Sequence, residues 1–293
     1  MLCEVCFMVP FTYYLDTANL DDEQRISMLN EFAGCGGKNI VLSETLLQQF
    51  AGTPASRNKI KKQVADAGLK FVDAHAPYGG ESDLMQPDDQ FRIGLARQFL
   101  TLELAHDCGV DTCCFHLGNA PLFPQYTLDE LHTFICRNLE LLLKRAEELG
   151  VIVCIENIFK PLNTVSEILK LIRMFDTPYL GVCYDAGHAN IMEHGMNFPD
   201  SRPWGQWAGR GDVEWESNIL EKLHEHIVIC HLHDNDAVND QHKLPGDGSV
   251  DWEHTLKLLS TAPRLRSMQS EVIPSRHNIP IPELTARWQQ YIK

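Results

Sequence analysis

Residues 228–252 read VICHLHDNDAVNDQHKLPGDGSVDW, an apolar run followed by three histidines and five aspartates before the tryptophan. The run has the composition of a strand buried on both faces, and the polar tail marks where that strand would stop. In α/β architectures built on such strands, chemistry gathers at the strands' C-terminal ends. Whether the chain repeats this pattern therefore decides the fold.

Short apolar runs alternate with amphipathic segments through the whole chain, and eight such cycles can be counted in its 293 residues. The runs predict strands at 2–9, 39–43, 70–75, 111–117, 151–157, 180–185, 227–233 and 268–273. The segments between predict helices near 21–34, 55–68, 88–108, 127–149, 164–175, 214–225, 252–261 and 281–292. Thr127, Thr164 and Asp251 stand where helix N-caps are expected. Eight β-then-α units in a chain of this length predict a (β/α)8 TIM barrel spanning 1–293 as one domain. A doubly wound open sheet is the competing architecture, but no G-x-G-x-x-G follows the first apolar run.

A barrel demands that catalytic side chains cluster where strands end. Strand three ends in His75, strand four in His116 and strand five in Glu156. Strand six ends in Asp185 with His188 just beyond, strand seven in His231, His233 and Asp234, and strand eight in Glu271. A lone histidine at a strand end is ordinarily structural, yet six consecutive strands deliver an imidazole or carboxylate to one rim. Ionisable groups after runs such as VIVCI and IVIC are costly unless paired or metal-bound. Glu156, Asp185, His231 and Glu271 together offer three carboxylates and one imidazole, an oxygen-rich set suited to one Mn²⁺, Mg²⁺, Co²⁺ or Zn²⁺ ion. Adjacent strand residues face opposite ways, so not all of H-L-H-D can point inward; His231 and His233 share one face, and His231 is expected as the ligand with His233 and Asp234 behind it or at the start of the loop. Asp236, Asp247 and Asp251 read as turn and cap residues, and Asp240 and His242 either fold over the site or belong to plain loop.

Composition excludes several classes. No apolar run approaches the roughly 18 residues of a membrane span, and the apolar start MLCEVCFMVPF, which carries Glu4, reads as a buried strand rather than a secretory signal. The net charge of −15, with only Lys59, Lys61 and Lys62 as a basic cluster, disfavours a nucleic-acid partner. Most of the ten cysteines sit in strand-like runs as small core residues, none at a rim position. Cys3 and Cys6 would face opposite sides of a strand, and the whole pattern implies a reducing compartment, hence cytoplasm.

The motifs H-A-P-Y at 75–78, F-H-L-G at 115–118, I-E-N at 155–157, G-V-C-Y-D-A-G-H at 181–188, H-L-H-D at 231–234, D-Q-H-K-L-P-G-D-G at 240–248 and S-E-V at 270–272 resemble the xylose isomerase-like TIM-barrel superfamily. The resemblance runs from strand three to strand eight. Its epimerase branch implies one divalent metal on Glu156, Asp185, His231 and Glu271, with His188 beside the substrate. Its endonuclease IV branch implies three zinc ions that also use His75, His116, Asp240 and His242. The fuller endonuclease motifs are not kept, since I-F-K-P follows E-N, L-H-D-N stands at strand seven and E-V-I-P at strand eight. With the −15 charge, this favours a sugar or sugar-like hydroxyketone over abasic DNA. Chelation of two neighbouring substrate oxygens would acidify the C–H between them and stabilise an enediolate, with Glu156 and Glu271 sharing the proton transfers. Epimerisation, aldose–ketose isomerisation and dehydration of an inosose-like substrate share that first step; a metal-free binding protein on the same fold is the non-enzymatic alternative. Substrate choice is expected in the long loop after strand six, where Arg202, Trp204, Trp207 and Arg210 either cover the site, contacting a sugar face or an anionic group, or belong to a dimer interface or a self-packed surface loop.

Overall fold

The computed structural model describes residues 9–17, 20–87 and 91–292. Eight parallel strands close in sequence order into a barrel. They are β1 (Phe11–Tyr13), β2 (Asn39–Leu42), β3 (Lys70–His75), β4 (Thr112–Phe115), β5 (Ile152–Glu156), β6 (Leu180–Asp185), β7 (Ile227–Leu232) and β8 (Ser267–Ser270). Helices cover the outside, and the apolar core lies between them and the barrel wall.

The first strand needs correction. Of the segment expected as strand one, 2–9, residues 2–8 lie outside the described residues, and the described strand that pairs with β2 and β8 is Phe11–Tyr13. Its three residues carry too short a pattern to compete with the longer apolar run before it. Strands four and eight end earlier than expected, so His116 and Glu271 stand one residue past β4 and β8.

Helix starts follow the local cap chemistry. Thr127 opens Leu128–Leu149 with a capping box, its side chain accepting from Glu130 N while Glu130 accepts from Thr127 N, and Gly150 closes it at φ 68°. Asp251 caps Trp252–Leu259 through His254 N. Thr164 makes no side-chain cap bond; Glu216 serves instead, both of its oxygens lying 3.1 Å from Val165 N. After β2, where one helix at 55–68 is expected, two occur: Glu44–Gly52 and Pro54–Asp66, joined at Thr53, which caps the second. The stretch after β6, expected as loop, begins with the helix Ala186–His194 and carries a second, Arg202–Trp207. Asp185 is the reason for the first: its side chain accepts from His188 N at 2.6 Å as N-cap. The helix expected at 214–225 is reduced to Ile219–Leu223.

Strand alternation stacks the barrel interior in layers. Two residues before each rim group lie Asp73, Cys114, Cys154, Cys183, Ile229 and Gln269, all buried. At the floor Asp73 accepts from Thr12 Oγ1 at 3.0 Å and Ser267 Oγ at 2.8 Å, tying β3 to β1 and β8.

Candidate metal centre

The barrel mouth holds a cavity of ≈260 Å³ lined by groups from all around the rim, among them Glu44, His75, His116, Glu156, His188, Asp240, His242 and Glu271. Glu156 is its centre and is buried. One carboxylate oxygen lies 2.8 Å from His116 Nε2 and 3.9 Å from His75 Nε2; the other lies 3.1 Å from His188 Nδ1 and 3.6 Å from His231 Nδ1. His231 Nδ1 is also 3.2 Å from Glu271 and 4.0 Å from Asp185, so the four residues of the oxygen-rich set converge. Asn157 explains why the E-N pair matters: its amide donates to Asp185 O at 3.0 Å and its carbonyl accepts from Asp185 N at 2.9 Å, locking the rims of β5 and β6 together.

Asp240 and His242 fold over the mouth rather than into solvent. Asp240 lies 3.5 Å from His188 Nε2 and 3.3 Å from His242 Nε2. The loop is held by Asp234, whose carboxylate accepts from the backbone N–H of Asn235, Gly246 and Val250 and from Trp252 Nε1, at 2.8–3.1 Å. His233, expected behind His231, is fully buried: its Nε2 lies 3.2 Å from Asp185 and its ring stacks on His242 at 4.0 Å.

Several donor atoms stand ready for a cation. His231 is fully buried, and its Nδ1 and Asp240 Oδ1 meet only charged neighbours, Glu271 at 3.2 Å and His242 at 3.3 Å, without a well-aligned hydrogen bond. Burial, helped by neighbouring His116 and His231, pushes the His75 pKa down to about 3, so this imidazole is neutral, as a ligand must be. Burial acts the same way on His242, but Asp240, Glu271 and Asp185 outweigh it and push the value up to about 9. Burial would raise the Glu156 carboxyl, yet His116 and His231 hold it well below the ordinary range. For Glu271 burial prevails, and its pKa is raised. Donor groups such as His75–His116–Glu156, Asp185–His188–His233 and His233–His242–Glu271 each bring their atoms within 4.8 Å of one another.

Of the loop expected to govern substrate choice, Arg202 lines the cavity. Trp204 instead sets its ring edge against Trp215 at 5.2 Å, Trp207 is buried, and Arg210 donates to Tyr126 O and Ala120 O. Lining groups that sequence reasoning missed include Tyr14, Glu44, Tyr78, Lys160, Gln206 and Arg276. Glu44 had a signal, since it stands just past the end of β2; Tyr14, one residue past β1, donates to it at 3.2 Å. No cysteine stands at a rim position, but from one layer below the Cys114 thiol donates to Glu156 Oε2 at 3.3 Å.

Residues 33–267 match the sequence pattern of the xylose isomerase-like TIM barrel. Among curated proteins, y4fM of Sinorhizobium fredii is 26% identical over 98 residues, and the chain spans only 25% of that relative's length. Among solved structures, D-psicose 3-epimerase of Clostridium cellulolyticum, crystallised with D-tagatose, superposes with TM-score 0.70 at 15% identity, covering 97% of this chain and 98% of that one. A Thermus thermophilus protein, TTHB071, from a crystal soaked with ZnCl₂, superposes with TM-score 0.62 at 22% identity over 96% of both chains. Among the described residues no helix is long and apolar enough to cross a membrane.

Proposed function

The chain belongs to the xylose isomerase-like TIM-barrel family, and from that premise we propose that it is a divalent-metal-dependent isomerase or epimerase of a sugar or sugar-like hydroxyketone. The observation that carries the reading is the convergence of Glu156, Asp185 and Glu271 on His231 Nδ1, at 3.6, 4.0 and 3.2 Å, at the open end of the barrel. Three carboxylates and an imidazole suit a hard or borderline divalent ion. When bound there, such an ion would polarise two adjacent substrate oxygens and acidify the C–H between them.

The protein's own part is proton transfer. Glu156 and Glu271 approach His231 from different strands, and in the proposed mechanism a hydroxyketone lies between them, one carboxylate on each face. One removes the proton and the other returns it: to the opposite face for epimerisation, to the neighbouring carbon for isomerisation. His188, held by Asp185 through its backbone N–H, presents its imidazole to Glu156 and Asp240 and would hydrogen-bond a substrate hydroxyl. The psicose epimerase fold match and the single-domain barrel agree with this reading. A small-molecule partner, cytoplasmic location and a homo-oligomeric state complete the proposal.

A second reading draws on the same cavity. His75 and His116 with Glu156, and His188 with Asp240 and His242, supply further ligand groups, as three zinc ions in an endonuclease IV-type enzyme would require; the zinc-soaked neighbour gives this some support. The −15 net charge opposes a phosphodiester substrate. The test is incubation of metal-reconstituted protein in D₂O with ketoses, inososes and hydroxypyruvate, with metal counted per chain. Deuterium on the carbon beside the carbonyl is expected. No exchange on any of them, together with three zincs and salt-sensitive cleavage of an abasic duplex, would replace the first reading by the second.

A further inference from the structure

One layer below the mouth, the thiols of Cys114 on β4 and Cys183 on β6 and an imidazole nitrogen of His231 on β7 lie within 4.8 Å of one another. All three residues are fully buried. Other cysteines of the barrel wall spend their thiols on backbone: Cys113 on Cys114 O at 3.7 Å and Cys154 on Ile152 O at 3.8 Å. The Cys114 and Cys183 thiols instead turn into the barrel toward His231, whose fully buried ring makes no well-aligned hydrogen bond there. Its Nδ1 has the carboxylates within reach, which leaves the ring a second nitrogen to offer.

We propose that Cys114, Cys183 and His231 form a separate, thiophilic metal site beneath the oxygen-rich one, coupled to it through His231. Two sulfurs and one imidazole select Zn²⁺, Cd²⁺ or Co²⁺ over Mg²⁺ and Mn²⁺, the opposite preference to the three carboxylates above. On binding, each thiol releases its proton to solvent as its sulfur forms a bond to the ion, and His231 ligates as a neutral imidazole whose other nitrogen keeps its N–H toward the carboxylates. Two protons leave the thiols as one dication enters, a third leaves if the ring starts as imidazolium, and His231 cannot serve the upper ion at the same time. Because the Cys114 thiol otherwise donates to Glu156 Oε2 at 3.3 Å, filling the lower site removes a hydrogen bond from a rim carboxylate. Thiophilic ions thereby act on the mouth from below.

The inference does not depend on the isomerase reading, and its test uses spectroscopy rather than turnover. The full chain is prepared with Cys3→Ser and Cys6→Ser, whose C-x-x-C lies outside the described residues, stripped with chelator and titrated with Co²⁺. A thiolate-to-cobalt charge-transfer band is expected, lost in Cys114→Ser and in Cys183→Ser and kept in Cys136→Ser. Zinc X-ray absorption on the parent protein, which needs no core variant, should show sulfur neighbours at about 2.3 Å. Absence of both signals at saturating metal, or a band that survives in the Cys114→Ser/Cys183→Ser double variant, would overturn the site. Deuterium exchange can succeed or fail independently of either.

Discussion

Gly187 packs its backbone directly beneath the His233 ring: a Cβ on Gly187 would fall 2.0 Å from His233 Cε1 and 2.5 Å from Nδ1. The contact lets the helix Ala186–His194 start immediately after β6 while His233 Nε2 stays 3.2 Å from Asp185. His233 cannot swing away freely, since its ring also stacks on His242 at 4.0 Å. Gly187→Ala should therefore cost about 1–3 kcal/mol by overpacking and should also weaken divalent-metal uptake by displacing Asp185 or His242. Chemical denaturation and calorimetric metal titration would measure the two effects. A variant with unchanged stability and uptake would show that the ring has room the structure denies it.

Asp234 is the anchor of the loop that carries Asp240 and His242. Its carboxylate satisfies four donors, three of them backbone N–H groups, within a fully buried setting. In Asp234→Ala each donor left unpaired costs about 1–3 kcal/mol. The loop is expected to open: limited proteolysis should cut between 235 and 250 in the variant but not in the parent, and metal uptake should fall. Resistance to cleavage equal to the parent's would show that the Asp234–Lys243 backbone pairing alone holds the loop.

The barrel and most of its rim were legible because a strand buried on both faces leaves its polar residues one place to go, the end. VIVCIEN and IVICHLHD state that plainly, and β5 and β7 end as read to within a residue or two. β1 was not legible: three residues, FTY, carry less periodic signal than the run at 2–9. The layer beneath the rim was spelled out at a spacing of two, Cys114 before His116, Cys154 before Glu156 and Cys183 before Asp185, but small apolar residues give no sign of what they touch. Arg202 and Trp204 share one short helix, yet only Arg202 of the two lines the cavity. Which face of a short helix looks inward depends on packing that no local pattern encodes.

Glu216 closes the segment after β6 onto the helix Val165–Phe175 by accepting from Val165 N with both oxygens. Burial raises its pKa above the ordinary 4.5, against the bond from Val165, which lowers it. Below the ordinary value the carboxyl is protonated in folded and unfolded chains alike. As pH rises the unfolded chain ionises first, so this group's contribution to stability is lost through the interval up to the raised folded value. Glu216→Gln should therefore compare more favourably with the parent at about pH 7 than at about pH 4, read as the difference in Tm. A difference independent of pH would mean that the carboxyl titrates alike in both states.

Glu156 and Glu271 should respond differently to the same change, although both are proposed to move protons. Glu156 is encircled by His116 at 2.8 Å, His188 at 3.1 Å and the Cys114 thiol at 3.3 Å. Glu271, whose side chain is 13% exposed, meets His231 at 3.2 Å and His242 at 3.7 Å from one side of the cavity. Replacing a buried carboxylate by an amide beside several imidazoles removes their countercharge, so Glu156→Gln should lower both stability and turnover. Glu271→Gln should keep its Tm close to the parent's while kcat falls by roughly 10² to 10⁴, the usual worth of a general acid–base group. Because both residues are also proposed ligands, metal must be counted in each variant, and only turnover per bound ion compared. Deuterium wash-in should fall in parallel with turnover in both variants. Two amide variants that keep their metal, exchange deuterium and turn over substrate at the parent rate would remove the glutamates from the chemistry and leave them as ligands alone.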